Sequence, residues 1–212
     1  MNHTISVTIP KESYDVIIVG CGLAGLTAAF HAADEGARVL LVSKTHICSG
    51  SSFYGLMDTI HCQATIDETD ESVFLNDILA CSARMNDTWM NQYYIQNIRS
   101  CITYLNRIGI PFHKLPEPKL PCFGKHAHDL YFWKDWNAIR KSVRNNIENE
   151  PNITLEENTA LFSLLQQTSG TICGACFYHK TTNSYKAVFA PSVILATGGF
   201  GALYKHNLNS PD

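Results

Sequence analysis

The chain opens on a polar leader, Met1 to Asp15, and then turns apolar for four residues, Val16-Ile17-Ile18-Val19. A short unbroken apolar run predicts a strand buried on both faces, as in a parallel sheet. After glycines at 20, 22 and 25, Leu23, Leu26, Phe30 and Ala33 recur at helical spacing, and Gly36 is placed to stop the helix. Arg38 to Val42 predicts a second buried strand. Strand, helix and strand in this order make a βαβ unit, which requires a parallel sheet.

Farther along, the pattern changes several times. From Thr45 to Ala64 no period is sustained, and Ser and Gly cluster at 49 to 52, which predicts a functional loop. Asp70 to Gly109 predicts helix in two segments, one using Val73, Ile78 and Leu79, the other Ile95, Ile98, Ile102 and Leu105. Pro111 to Pro121 carries four prolines and is expected to be irregular. Asn137 to Asn149 predicts a charged amphipathic helix stopped by Pro151. Ile153 to Leu155 fits a third core strand. Leu161 to Phe189 has two β-rich stretches around Thr181-Thr182-Asn183-Ser184, the pattern of a small antiparallel meander. Val193-Ile194-Leu195 predicts a last buried strand running into Thr197-Gly198-Gly199. The fold class is α/β, with a parallel sheet, a small antiparallel β-meander and a helical insertion.

Composition narrows the picture. With 212 residues, 45% hydrophobic and 17% charged, the chain can bury a real core. A formal charge of −3 gives no reason to expect nucleic acid or an anionic membrane as partner. No apolar run approaches a membrane span, and the start lacks the apolar core of a signal peptide. Eight scattered cysteines suit free thiols in a reducing compartment, so the expected location is cytoplasmic.

Gly20-Cys21-Gly22-Leu23-Ala24-Gly25 is a full G-x-G-x-x-G, after a predicted strand and opening a predicted helix. Gly20 allows the tight turn, Gly22 lets backbone approach a pyrophosphate, and Gly25 lets the helix lie close on the strand. The helix N-terminus then faces the anion. This makes the domain Rossmann-like and its ligand a dinucleotide, either FAD or NAD(P). An acid usually ends the second strand to meet the ribose hydroxyls, but here Ser43-Lys44 stands there. A serine can still hydrogen-bond a ribose and a lysine can meet a 2′-phosphate, so NADP stays open on these residues.

Val39-Leu-Leu-Val-Ser-Lys44, Ser49-Gly-Ser-Ser-Phe-Tyr54 and Val193-Ile-Leu-Ala-Thr-Gly-Gly199, with the glycine loop, resemble the succinate dehydrogenase/fumarate reductase flavoprotein family. Gly50-Ser-Ser-Phe-Tyr54 and Asp67-Glu-Thr-Asp70 look most like its L-aspartate oxidase branch. The likeness runs with gaps from about Tyr14 to Asp212. It implies an FAD-binding domain and places roles at matched positions. Cys21, Leu23 and Ala24, with the three glycines, would contact pyrophosphate through backbone, and Ser43 and Lys44 would lie by the adenosine ribose. Ser51, Ser52, Phe53, Tyr54 and Gly55 would line the isoalloxazine side. Thr159 and Ala160 would touch adenine by main chain, and Ala196, Thr197, Gly198 and Gly199 would bring backbone near the flavin. Small residues and free N–H groups are what a planar, anionic cofactor needs nearby. Membrane-bound members tether FAD through a histidine. Ser51 stands at the matching position, so the resemblance implies non-covalent FAD.

By the same resemblance, the parent reaction moves hydride from a small dicarboxylate to flavin, giving an imine from aspartate or fumarate from succinate. The family's Gln-Gly-Gly after the tyrosine is replaced by Gly55-Leu-Met-Asp58. Phe123-Gly124-Lys125 precedes His126-Ala127-His128 where the aspartate oxidase pattern has a glutamate and two glycines. The family's capping domain and its C-terminal helices would lie beyond Asp212. The expectation is therefore the N-terminal portion of an FAD-binding domain over residues 1–212, with a possible partner chain supplying the rest. No catalytic residue is assigned. A non-catalytic FAD-binding module or remnant is one rival reading, and an NADP-binding Rossmann protein, suggested by Lys44, is the other.

Other groups attract blander readings. Cys173 and Cys176, with His179, could suggest zinc, but residues three apart in a strand face opposite ways, so packing is expected and no metal. His126 and His128 share a face in extended chain and could act near a substrate, although exposed histidines after a Pro-rich loop are commonly inert. Tyr131, Phe132, Trp133 and Trp136 fit core or subunit contact better than flavin stacking. Arg140, Lys141 and Arg144 read as the solvated face of a helix. Asp67, Glu68, Asp70 and Glu71 read as a solvated turn and helix start.

Overall fold

A computed structural model describes residues 7–8, 13–54, 60–120 and 124–206. In chain order its elements are β1 (Val7–Thr8), β2 (Val16–Val19), α1 (Leu23–Asp34), β3 (Val39–Val42), β4 (Ile60–Ala64), α2 (Glu71–Cys81) and α3 (Thr88–Arg107). Then follow β5 (His113–Lys114), β6 (Asp129–Trp133), α4 (Trp136–Glu148), β7 (Ile153–Glu156), β8 (Thr159–Gln166), β9 (Ile172–His179), β10 (Ser184–Phe189) and β11 (Ser192–Leu195). The chain forms two compact units, residues 57–135 and the remainder. Among the described residues no helix is long and apolar enough to cross a membrane.

The larger unit is built on a parallel sheet in the order β11-β2-β3-β7. Its four strands are level: Leu195, Val19, Val42 and Glu156 end side by side. Ile17, Val19, Leu40 and Val42 face one way and pack with Ala175, Phe177, Val188 and Ala190 of the second sheet and the residue after it. The alternate residues, Ile18, Val39 and Leu41, are equally buried on the opposite face. There α1 contributes Leu26, Ala29, Phe30 and Ala33, and α4 contributes Ile139, Val143 and Ile147. Burial on both faces is why these strands are apolar throughout rather than alternating.

The second sheet, β1-β10-β9-β8, is an antiparallel meander of three strands joined by β1 in parallel. The predicted meander is therefore present with one strand more, since the stretch before Thr181 breaks into β8 and β9 at a turn over 167–171. The polar leader also contributes β1, which its composition did not suggest. The helix from Leu23 ends as expected, with Gly36 at φ +82° just beyond it. The last strand departs from expectation. β11 is a strand but not a buried one, for it lies at the sheet edge with Ile194 and Leu195 exposed.

The smaller unit pairs β4, β6 and β5 in an antiparallel sheet beside α2 and α3. Helix over 70–109 was expected in two segments, and α2 and α3 are those segments. Asp87 caps α3 by accepting the N–H groups of Trp89 and Met90. The loop predicted over 45–64 ends earlier than expected, because 60–64 is a strand. Among its described side chains, Cys62 and Ala64 face Ile98 and Ile102, a pair too weakly apolar to register as a period. Residues 55–59 lie outside the description. The Pro-rich stretch likewise holds a two-residue strand, β5, and Lys119 bridges to His128. Trp133 is core, edge-on to Phe112 with ring centroids 4.4 Å apart.

The two histidines also depart from the sequence reading. His128 is fully buried, stacked on Phe74, with Nδ1 2.9 Å from Asp70 Oδ2 and Nε2 3.5 Å from Asp77 Oδ2. Asp70 is thus no solvated residue, whereas Asp67 is exposed and caps its own turn through Thr69. His126 keeps an exposed ring but sets Nδ1 3.0 Å from Asp77 Oδ1. Asp77 also accepts the N–H groups of Lys125 and His126, so one buried carboxylate anchors the chain entering β6. A pair of carboxylates sequestered with a histidine has no local sequence signal, since 70, 77 and 128 meet only through the fold.

Burial alone would raise the Asp77 carboxyl, but the His126 and Lys125 N–H groups and the His126 ring hold it at about 2. A depressed carboxyl stabilises the fold above its ordinary value and loses that contribution as pH falls toward the depressed one. Urea midpoints are expected to fall between about pH 4 and about pH 2 in the wild type, and to fall less in Asp77→Asn. Equal slopes in the two proteins would remove Asp77 from this role.

Candidate functional site

In an open parallel sheet, ligands bind beyond the carboxyl ends of the strands. Four segments converge there because the strands are level: 20–25 after β2, 43–50 after β3, 157–159 after β7, and 196–199 after β11. The main chain joins them across the sheet. Gly20 N–H donates to the Val42 carbonyl, Ala196 N–H to that of Val19, and Thr159 N–H to that of Ser43.

The three glycines do different things. Gly20 sits at φ +115°, and a Cβ there would lie 2.2 Å from the Ala196 carbonyl oxygen. A Cβ on Gly25 would lie 1.8 Å from the Gly20 carbonyl oxygen, so α1 reaches β2 only because Gly25 has none. Gly22 is different: a Cβ there would meet only the Ser49 carbonyl, at 3.4 Å. Two glycines serve packing and the middle one leaves space. That space lies at the start of α1, where no side chain caps the helix and the first turn carries no acid. Uncapped N–H groups and the positive end of the helix dipole suit a bound anion.

The remaining predicted positions fall around this cradle. Cys21 is buried, and burial pushes its thiol up to about 12, so it packs rather than reacts. Leu23 is half-buried and Ala24 exposed on the first turn of α1. Ser43 is buried and its hydroxyl donates to the His46 carbonyl at 2.9 Å, while Lys44 is exposed. Thr159 is buried and donates its hydroxyl to the Glu157 carbonyl, and Ala160 continues into β8. Ser51, Ser52 and Phe53 form one turn of 3₁₀ helix after Gly50, with Phe53 buried and Tyr54 half-buried. Gly55 lies outside the described residues. Ala196 is packed on the glycine loop, whereas Thr197, Gly198 and Gly199 are exposed, Gly198 at φ +68°. Cys173 and Cys176 lie in β9, away from these strand ends in the chain. Among the described residues no three His, Cys, Asp or Glu side chains gather as a metal site.

Sequence reasoning passed over a second layer. Arg140 and Arg144, expected on a solvated face, turn instead toward the loop after β3 and the acid after β7 respectively, whereas Lys141 is exposed. Arg144 Nη2 lies 2.7 Å from Glu157 Oε1, and the same oxygen accepts the Ile47 N–H at 2.7 Å. Burial would raise the Glu157 carboxyl, but Arg144 and the Ile47 N–H hold it below its usual range. The only available signal was the i, i+4 pair of arginines on a helix that precedes a lone acidic turn.

Small residues where a cofactor's phosphates must pass, an uncapped helix start and a strand-end location together fit a dinucleotide. The family model of the FAD binding domain matches residues 15–211. The chain belongs to that family. Its cofactor is FAD, which resolves the choice that Ser43-Lys44 left open. This FAD-binding domain is 28% identical to an L-aspartate oxidase of Vibrio cholerae, over 95% of the chain and 40% of that protein. It is 30% identical to L-aspartate oxidase 1 of Ralstonia nicotianae, over 94% of the chain and 39% of that protein. The fold matches a quinol fumarate reductase flavoprotein of E. coli with a TM-score of 0.79 at 20% identity, covering 96% of this chain and 35% of that one. The chain thus spans about two fifths of the length of the curated relatives it matches.

Gly25→Ala is expected to cost about 3 kcal/mol, because the added carbon forces α1 off β2. Gly22→Val should keep the fold and lower FAD affinity at least about a hundredfold, by filling the space the pyrophosphate needs. Gly170→Val, at φ +90° in the β8–β9 turn, should cost about 1 kcal/mol and leave FAD affinity alone. Urea unfolding and flavin fluorescence titration measure the two effects, and equal FAD affinity in wild type and Gly22→Val would move the cofactor elsewhere.

Proposed function

We propose that this domain is the FAD-binding portion of an oxidoreductase acting on a small dicarboxylate, most like the L-aspartate oxidases. The observation that carries the reading is the open position at Gly22, set over an uncapped helix start and flanked by strand-end loops. The two aspartate oxidase relatives at 28% and 30% identity supply the substrate class.

In this reading the residues take the following parts. Gly20 to Gly25 hold the pyrophosphate through backbone N–H groups at the start of α1. Ser43 and Lys44 lie on the ribose side, with Lys44 free to swing because it is exposed. Thr159 and Ala160 border the adenine by main chain. Ser51 to Gly55 and Ala196 to Gly199 flank the isoalloxazine, where the exposed backbone of Thr197, Gly198 and Gly199 gives a flat ring room. Bound FAD supplies the hydride-accepting chemistry, and the chain orients it and screens it from water. Ser51 offers a hydroxyl and no imidazole, so FAD is held without a covalent bond. Dicarboxylate recognition needs fixed cationic donors. Arg38 is tied to Asp15, Arg99 to Asp129 and Arg144 to Glu157, so these three are committed within the chain. The donors would then come from the part of the relatives' length that this chain does not span, in the same polypeptide or in a partner chain. The full assembly would work in the cytoplasm, as the free cysteines suggest.

Purified protein loaded with FAD is expected to show flavin absorbance and to release all of it into the supernatant on acid precipitation. Colour retained by the pellet would overturn non-covalent binding. The same loaded protein is expected to give no peroxide with L-aspartate or succinate in air, and no anaerobic bleaching. Turnover with either substrate would show that catalytic donors lie within these 212 residues.

A further inference from the structure

We infer that Glu157 is a positioning residue for FAD, holding the loop between β3 and the 51–53 turn in the shape that the adenosine diphosphate half requires. The inference rests on the FAD reading and adds to it a residue that lies outside the cradle itself.

The loop from Ser43 to Gly50 borders the site at both ends. Ser43 and Lys44 follow the strand end where a dinucleotide's ribose is met. At the far end, the Ser49 carbonyl is the nearest neighbour of the open position at Gly22. A shift in this loop would therefore alter the ribose side and the pyrophosphate side together. Its backbone is not one that would hold itself: Cys48 sits at φ +52° and Gly50 at φ +86°. A non-glycine residue in that region persists only where its surroundings hold it there.

Those surroundings meet at Ile47, which is fully buried in mid-loop. Its N–H donates to Glu157 Oε1 at 2.7 Å, and its carbonyl accepts from Arg140 Nε at 3.3 Å. Arg144 Nη2, one helical turn on from Arg140, binds the same Glu157 oxygen at 2.7 Å. Asn158 N–H donates to the Thr45 carbonyl and Thr159 N–H to the Ser43 carbonyl, so the turn carrying Glu157 grips the loop at three places. The acid thus joins Arg144 of α4 to one buried peptide of the loop, whose carbonyl meets Arg140 on its other side. Removing it leaves the Ile47 N–H buried without its acceptor and Arg144 without its anion, while the apolar core of the sheet is unchanged. The loop would then sample other shapes, and FAD would have to order it on binding, which weakens affinity.

The test titrates FAD and, separately, ADP into the full chain and its variants, with fluorescence and calorimetry as readouts. Glu157→Ala is expected to weaken both ligands by about the same factor, at least about tenfold. Glu157→Gln keeps an acceptor for the Ile47 N–H and should recover a good part of that loss. Gln rescue together with matched losses for FAD and ADP separates positioning from a general loss of stability, which would not track the acceptor. If Glu157→Ala does not fold by circular dichroism, Glu157→Gln and Arg144→Ala decide, expected to be about twofold and about fivefold weaker respectively for both ligands. Wild-type affinity in the folded Glu157 variants would overturn the inference and leave the FAD reading standing, as would a loss for FAD with ADP unchanged. A wild-type chain that binds neither ligand would instead bring down the FAD reading, and this inference with it.

Discussion

The approach of α1 to β2 is the constraint on which the larger unit depends. A helix can lie this close to a strand end only where neither backbone carries a Cβ at the crossing, and Gly20 and Gly25 meet that condition. Ala196 completes it from the neighbouring strand, since its carbonyl occupies the space beside Gly20. Close approach does two things at once. It packs α1 against the parallel sheet, and it aims the helix start, with its unpaired N–H groups, along the carboxyl edge of the strands. Fold and candidate site are consequences of one steric condition.

Around that constraint, partly or fully buried polar groups do the fine placement. In the larger unit Glu157, Arg140 and Arg144 grip the loop after β3. In the smaller unit Asp77 accepts two backbone N–H groups and the His126 ring, with His128 buried and Asp70 half-buried beside it. Each cluster fixes an irregular stretch of chain that no periodic apolar face could hold. Buried polar groups of this kind cost stability unless every partner is in place, so they specify a single arrangement when they are satisfied. Membership of the FAD-binding family gives the first cluster its functional context.

Much of this was legible in the residues. The unbroken apolar runs at 16–19 and 39–42 announced strands buried on both faces, and the glycine spacing between them announced the turn and the helix. The strand at 153–156, the helix at 136–148 and the paired helices over 71–107 were readable from their period and their stops. The glycine loop was readable too, including the tight turn at Gly20 and the close helix approach at Gly25. What misled was context. Val193-Ile194-Leu195 looks as buried as β2, yet it stands at the sheet edge, and edge position is a property of the assembled sheet. His61 to Ala64 looked like loop because its inward residues are small.

By itself the sequence determined the βαβ core, the cradle at its strand ends and the family to which both belong. The core and the glycine turn rest on interactions between residues close in the chain, where period, spacing and glycine stereochemistry leave a local imprint. The distant sides of the cradle, 157–159 and 196–199, were legible only through the family resemblance. Only the tertiary structure decided which charges are solvated and which are buried. Arg144 meets Glu157, His128 meets Asp70 and Asp77, and β4 meets β6 across long separations in the chain. A charge's fate depends on what the fold brings within a few ångströms of it, and that distance is not written at any one position of the chain.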